Sequence, residues 1–510
     1  MTTHDVEVAI IGAGFSGLGA AITLTQHGFD DYVILDRGAD FGGTWRDNTY
    51  PGAACDVASN LYSYSFAPNP NWSRSFSHQP EIHRYLNDVA DHYGVRGKAR
   101  FATDVTNAAW DSEDRHWILD TITDGTKSTY RARHLIGAVG PLCEPNNPDI
   151  AGIDSFAGTV MHSARWDNDH DFTGKRVAVI GTGASAIQIV PELAKVVGHL
   201  DVYQRTAPWI VPRTERAYTA LEHWAFQHVP LTQTASRAGI YAFNEFVALG
   251  LTYAQPALKP VELLARGNIL RSIRDKELRA KVTPNFQIGC KRILRSNAWY
   301  PALARPNVDL VTDPIERITP TGIVTADGTE RDIDVLVVAT GFHVTDSPVF
   351  DTIHGTDGTT LAQSWDANGM QGYKGSTVHG FPNMFLMVGP STGLGHTSMV
   401  YMIESQLNYL VGYLEAARAG NLTRIEVRAD VQQRYNEGIQ RDLRNSVWVD
   451  GGCASWYQDA HGNITTLWPG FTFNFRRATR TFDVAAYDVS NAPAATPADT
   501  PELSAIGTGA

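Results

Sequence analysis

At 510 residues the chain is long enough to bury two or three separate cores. A formal net charge of −12, with no basic block set against it, argues against a nucleic-acid partner. Four scattered cysteines (Cys55, Cys143, Cys290 and Cys453) form no Cys-x-x-Cys or similar pair, which predicts reduced thiols, no metal site and a cytoplasmic setting.

The first residues, MTTHDVEVAI, lack the cationic stretch ahead of an apolar run that marks a secretory signal. Residues Val8–Leu24 (VAIIGAGFSGLGAAITL) are uncharged but glycine-rich and short for a bilayer span. They read as strand, turn and helix, so no membrane partner is expected. Within them stands Gly12-x-Gly14-x-x-Gly17. The first glycine permits a tight turn, the second lets a pyrophosphate approach the backbone, and the third lets helix and strand pack closely. The next strand, DYVILDR, ends in Asp36, whose carboxylate can accept hydrogen bonds from ribose hydroxyls.

The pattern recurs at KRVAVIGTGASAIQIVPELA, with Gly181-x-Gly183-x-x-Ala186 opening a helix. Here the following strand, HLDVYQRT, ends in Arg205 and Thr206 instead of an acid. A guanidinium pairs with a ribose 2′-phosphate in fork geometry, where a carboxylate would repel it. The first unit therefore suits FAD or NAD and the second suits NADP. Three further strands run into glycine: HLIGAVG at Gly140, IDVLVVATG at Gly341 and NMFLMVG at Gly389. GIVTADGTERDID carries the Asp-Gly turn of a hairpin. The expected fold is α/β, with two Rossmann-like, glutathione-reductase-like domains and a helical insertion in the second. The expected division is an FAD-binding domain at 1–145 and 336–489, a linker at 146–172, and an NADP-binding domain at 173–335. The helical subdomain is expected at about 215–283, and a disordered Ala/Pro/Thr-rich tail at 490–510.

Two longer patterns carry a resemblance. In FAGTVMHSARWD, Phe156-x-Gly158-x-x-x-His162-x-x-x-Trp166-Asp167 is similar to the fingerprint of type I Baeyer–Villiger monooxygenases. GGTWRDNTYPGAACD, from Gly42 to Asp56, resembles a second signature of that family. The resemblance covers essentially the whole chain except the tail. It implies an FAD-containing, NADPH-dependent enzyme that inserts one oxygen atom of O₂ beside a ketone carbonyl, through a flavin C4a-peroxide and a Criegee adduct, with sulfoxidation as a side activity. A related enzyme oxidising nitrogen or sulfur, or a non-oxygenating NADPH–flavin reductase, is the alternative reading.

By the same resemblance Arg292, in IGCKR, is the catalytic cation and Asp56 orients it. A fixed guanidinium favours anionic oxygen, and a carboxylate partner limits the cost of burying it. Lys291 would join Arg205 and Thr206 on the 2′-phosphate, while Thr182, Gly183, Ser185 and Gln188 face the NADP pyrophosphate. For FAD the resemblance adds Ser16, Thr44, Trp45, Tyr62, Val105 and Met399, and Trp456 matches a tryptophan that covers NADP and substrate. The linker reads either as the hinge, with Phe156 and Trp166 anchoring its ends and His162 tying it down, or as a well-packed structural connector. The TGLGHTS loop differs from the Ser/Pro-rich form of the best-known members.

Overall fold

The computed structural model describes residues 2–459 and 461–491; most of the expected disordered tail, 492–510, lies outside them. Ser490 and Asn491 belong to a strand, Tyr487–Asn491, paired with Leu422–Val427.

The first sheet is built on Thr2–Ile11, which runs parallel to Tyr32–Leu35 on one side and Thr126–Gly137 on the other. Ala99–Arg100 extends it beyond Tyr32–Leu35, and Met384–Leu386 pairs parallel to Thr126–Gly137. Thr103–Asp111, His116–Thr123 and Thr126–Gly137 form an antiparallel meander at the other edge. The helix Phe15–Gln26 is buried from Phe15 through Leu24, because it lies between this sheet and the long helix Met399–Ala419. A helix covered on every side needs no polar stripe, which is why FSGLGAAITL has none.

The second sheet holds five parallel strands in the order Val308–Val311, His199–Tyr203, Arg176–Ile180, Val335–Val338 and Thr159–His162. It is covered on both faces, so its central strands read as unbroken apolar runs such as VLVV. A three-stranded antiparallel ribbon, Ile315–Ile318, Gly322–Thr325 and Glu330–Asp332, turns at Asp327-Gly328, where Gly328 takes φ +82°. Helices Ala220–His228, Thr232–Ala248, Lys259–Ser272 and Lys276–Lys281 make up the helical part. Among the described residues no helix is long and apolar enough to cross a membrane.

The fingerprint segment is not a free connector. Thr159–His162 is the edge strand of the second sheet, hydrogen-bonded along Val335–Val338. Phe156 is buried in that sheet's core, and Trp166 stacks on Phe172 with ring centroids 5.4 Å apart. At Gly158 a side chain would lie 2.4 Å from the Asp334 carbonyl oxygen, so only glycine lets the chain pass. His162 Nδ1 accepts from the Ala164 N–H at 3.1 Å, capping the turn that follows. Two stretches cross between the sheets, 138–158 and 339–352. They are laced together: the Asn146 N–H donates to the Gly341 carbonyl and the His343 N–H to the Glu144 carbonyl, each at 2.9 Å.

The cysteines correct the sequence reading. Cys290 and Cys453 form a disulfide across 163 positions, with Cα atoms 6.1 Å apart; Cys55 and Cys143 are free. The expectation of four reduced thiols rested on local spacing, which says nothing about partners that folding brings together. Closing so long a loop restricts the unfolded chain, and a bond of this kind contributes about 2–4 kcal/mol. Cys453→Ser is expected to lower the unfolding free energy by that amount, and dithiothreitol should bring the parent protein to the same value; urea titrations with and without reductant check this.

Candidate active site

Both glycine turns have the geometry of a dinucleotide seat. Gly12 takes φ +107°, and a Cβ there would lie 2.5 Å from the Ala138 carbonyl oxygen. Gly17 packs so closely that a Cβ would sit 1.8 Å from the Gly12 oxygen. The second turn repeats this with Gly181 at φ +117° against the Ala339 carbonyl, while the space a Cβ at Gly183 would enter is open. The helices that follow, Phe15–Gln26 and Ala186–Leu193, begin without a side-chain cap. Their first-turn N–H groups are left for an anionic ligand.

Around the first turn, Asp36 is buried and already engaged. It accepts from the Ala13 and Gly38 N–H groups and from Arg46, each at 2.7 Å. Ser16 is buried in the helix's first turn, Gly14 faces Gly43, and Thr44 and Trp45 open a short helix beside it. The Trp45 indole N–H donates to the Tyr62 hydroxyl at 3.0 Å. Val105 lies on the meander strand Thr103–Asp111, packed against that sheet's core. Met399 opens the helix Met399–Ala419, whose cap Ser398 accepts from the Val400 N–H at 3.2 Å.

Around the second turn, the Thr182 hydroxyl donates to the Thr206 carbonyl at 3.1 Å, and Ser185 directly precedes the helix. Arg205 is exposed. Lys291 lies near it, and burial together with the Arg205 charge lowers the pKa of its ammonium. A lysine held within reach of a second cation marks a place for an anion. Gln188 departs from the sequence reading. Its amide donates to the Ala54 carbonyl at 2.9 Å and accepts from the Ala54 N–H at 3.3 Å and the Tyr50 hydroxyl at 3.1 Å. In this structure it ties the two units together, with both ends of its amide already engaged. Trp456 is 48% exposed, with its ring 4.4 Å from that of Tyr457.

Between the turns, Arg292 meets Asp56 across 236 positions. Nε donates to Oδ2 at 2.8 Å and Nη2 to Oδ1 at 2.9 Å, while Nη1 reaches the Leu394 carbonyl at 3.3 Å. Burial opposes the Asp56 charge. The guanidinium of Arg292, with Arg295 and Arg213 behind it, outweighs that and holds the carboxyl below the usual range. Asp56 in turn raises Arg292, so the pair stays ionised at neutral pH. Tyr457, buried beside them, is pushed up to about 12 by burial.

Arg292 is fixed on both sides. The disulfide lies two residues before it, and the Leu294 N–H binds the Trp209 carbonyl at 2.9 Å just after it. A cavity of about 30 Å³ adjoins the pair, bounded also by Asn244, Arg295, Gly395 and His396. Sequence reasoning missed Glu245, which comes within 3.3 Å of His396 Nε2 and accepts from the Thr472 N–H at 3.0 Å. No local spacing signals a contact across 151 positions. Away from this site, His199, Asp201 and Asp309 have donor atoms within 4.8 Å of one another, and Arg331 lies 3.7 Å from Asp201.

Two dinucleotide seats, with an arginine–carboxylate pair joining the units that carry them, define a two-nucleotide flavoprotein. The chain matches the pyridine nucleotide-disulphide oxidoreductase family over residues 9–229. It is 47% identical over 487 residues to a Baeyer–Villiger monooxygenase of Streptomyces coelicolor, covering 95% of this chain and 93% of that one. It is 48% identical to one of Pseudomonas aeruginosa, covering 96% and 92%. The fold matches that of cyclohexanone monooxygenase from Rhodococcus sp. Phi1 bound to NADP⁺, with TM-score 0.85, 28% identity, and 96% and 100% of the two chains covered. It also matches a complex of OTEMO with FAD and NADP, with TM-score 0.84, 28% identity, and 95% and 99% covered. The chain belongs to the Baeyer–Villiger monooxygenase family.

The ion pair has a pH signature. A carboxyl whose folded pKa is depressed contributes stability that is fully present above its unfolded value, near 3.9, and is lost as pH falls through the folded value. The Arg292 and Asp56 side chains are 29% and 26% exposed, so solvent screens part of the interaction. Asp56→Asn is expected to cost about 1–2 kcal/mol at pH 7. That deficit should shrink as the parent is taken below pH 4; paired urea titrations across pH 3–7 check it.

Proposed function

We propose that this chain converts ketones to esters or lactones with NADPH and O₂. NADPH, a proton, O₂ and the ketone give NADP⁺, water and the ester, so one oxygen atom enters beside the carbonyl and the other leaves as water. The observation that carries this reading is the two-point Arg292–Asp56 contact between the two nucleotide seats.

The residues present fit both cofactors. The uncapped helix behind Gly12, Gly14 and Gly17, with Ser16, Asp36, Thr44, Trp45, Tyr62, Val105 and Met399 around it, would hold FAD. Gly181, Thr182, Gly183 and Ser185 would hold the NADPH pyrophosphate, and Arg205, Thr206 and Lys291 its 2′-phosphate. When bound, the two cofactors supply the hydride and the ring on which oxygen is activated.

The chain's own contribution is electrostatic. The negative charge carried by the oxygen that attacks the carbonyl would pass to the carbonyl oxygen as the new bond forms. A guanidinium already fixed in place stabilises that charge without reorganising. Asp56 holds the arginine's fork, and the Leu394 carbonyl sets its third corner. Trp456, exposed on the disulfide-tethered loop, would cover the bound NADP and substrate. The same reading puts the enzyme in the cytoplasm, beside the NADPH it consumes.

Arg292→Ala is expected to retain reduction by NADPH while ester formation falls about 10²–10³-fold, the usual loss for one preorganised donor. Stopped-flow reduction followed by product chromatography separates the two, and ester at the parent rate would remove the assigned role. Arg205→Ala should raise KM for NADPH at least about tenfold, as losing a charged hydrogen bond does, and leave KM for NADH nearly unmoved. Steady-state assays with both nucleotides check this.

A further inference from the structure

KRILR, residues 291–295, places three cations within five positions, and the structure gives each a different setting. Lys291 sits over the Phe286 ring, 5.3 Å from its centroid and within reach of the Arg205 charge, and Arg292 is taken by Asp56. Arg295 lines the cavity beside that pair and, among the described residues, makes no side-chain hydrogen bond and no ion pair. Its neighbours are already committed. Arg213, the other arginine close by, lies 3.4 Å from Glu215 and donates to the Cys55 carbonyl at 2.8 Å. Glu215 is shared between Arg213 and Arg74, whose Nη1 lies 2.7 Å away, and Asp56 is taken by Arg292, so no carboxylate is left to compensate Arg295.

That charge is held against resistance. Burial, and repulsion from Arg292 and Arg213, make the guanidinium harder to keep protonated than a free one, and attraction to Asp56 offsets only part of this. Water in the cavity can satisfy its N–H groups but cannot neutralise it. A half-buried guanidinium presents a planar fork that matches the two oxygens of a carboxylate or a phosphate.

We propose that Arg295 is the seat for an anionic oxygen group of a ligand lying against the Asp56–Arg292 pair. Two sources share that chemistry: the carboxylate of a keto-acid substrate, and the pyrophosphate of the dinucleotide. The 2′-phosphate is not the occupant, since by the proposed function it goes to Arg205, Thr206 and Lys291. The keto-acid source rests on the ketone-oxidation reading; the seat itself does not.

The first test needs no turnover. FAD-loaded enzyme is melted alone, with inorganic pyrophosphate, and with levulinate, as the parent, Arg295→Leu and Arg295→Lys. Without anion, Arg295→Leu should melt no lower than the parent, because it removes a repelled charge. The rise in midpoint produced by at least one of the two anions should fall by half or more in Arg295→Leu and largely return in Arg295→Lys. Kinetics then separate the sources. A pyrophosphate seat predicts that Kd for NADPH and for NADH, from rapid reduction, rise together about tenfold in Arg295→Leu. A substrate seat predicts unchanged nucleotide Kd and an about tenfold fall in the kcat/KM ratio of a keto acid to its methyl ester. Equal anion protection in parent and Arg295→Leu overturns the proposal, as does a lowered melting point with no anion dependence. Loss of anion protection in Arg295→Leu, with no ester made by the parent from any ketone, would keep the seat and discard the oxygenation reading.

Discussion

The contact between Asp56 and Arg292 is the constraint around which the rest is arranged. Neither charge could be left half-buried alone without a large desolvation cost, so each fixes where the other must be. One belongs to the loop that follows the first glycine turn and the other to a segment of the second unit. The contact therefore sets the relation between the two nucleotide seats as well as the chemistry between them. The backbone around Arg292 is braced accordingly. The Gln287 N–H donates to the Gly451 carbonyl, and the disulfide at Cys290 and the strand pairing at Leu294 follow within a few residues. Without that bracing a long side chain would lose its aim to rotamer entropy.

What the sequence reveals here is whatever the chain encodes locally. The glycines at 12, 17 and 181 are legible because each answers a steric demand within a few residues of a strand end. The contrast between Asp36 and Arg205 is legible because it sits at one fixed distance after each turn. The Asp56–Arg292 pair could be named only through the family resemblance, since no periodicity links positions so far apart.

The misses share a cause. Cys290–Cys453, Glu245–His396 and Gln188–Ala54 are all long-range contacts between residues that look unremarkable in place. Gln188 is instructive: it stands one turn into the second fingerprint's helix, where a ligand contact is the natural expectation. The fold brings Ala54 close enough to use both ends of its amide instead. Arg295 did leave a trace, as the third cation of KRILR, but its meaning depends on which charges are already answered around it.

The lacing of the two crossing stretches limits how this molecule can move. Because Thr159–His162 is hydrogen-bonded into the second sheet, the fingerprint travels with that sheet as part of one rigid body. Any swing would have to be taken up at 138–155 and 339–352, and those straps are bonded to each other at Asn146–Gly341 and His343–Glu144. Twin straps fastened side by side act as a door hinge: they permit rotation about a single axis and resist both twisting and sliding. A rotation about that axis would carry Arg205 and Lys291 with the second sheet, and it would have to break the Gln188–Ala54 bonds and the arginine's grip on its aspartate.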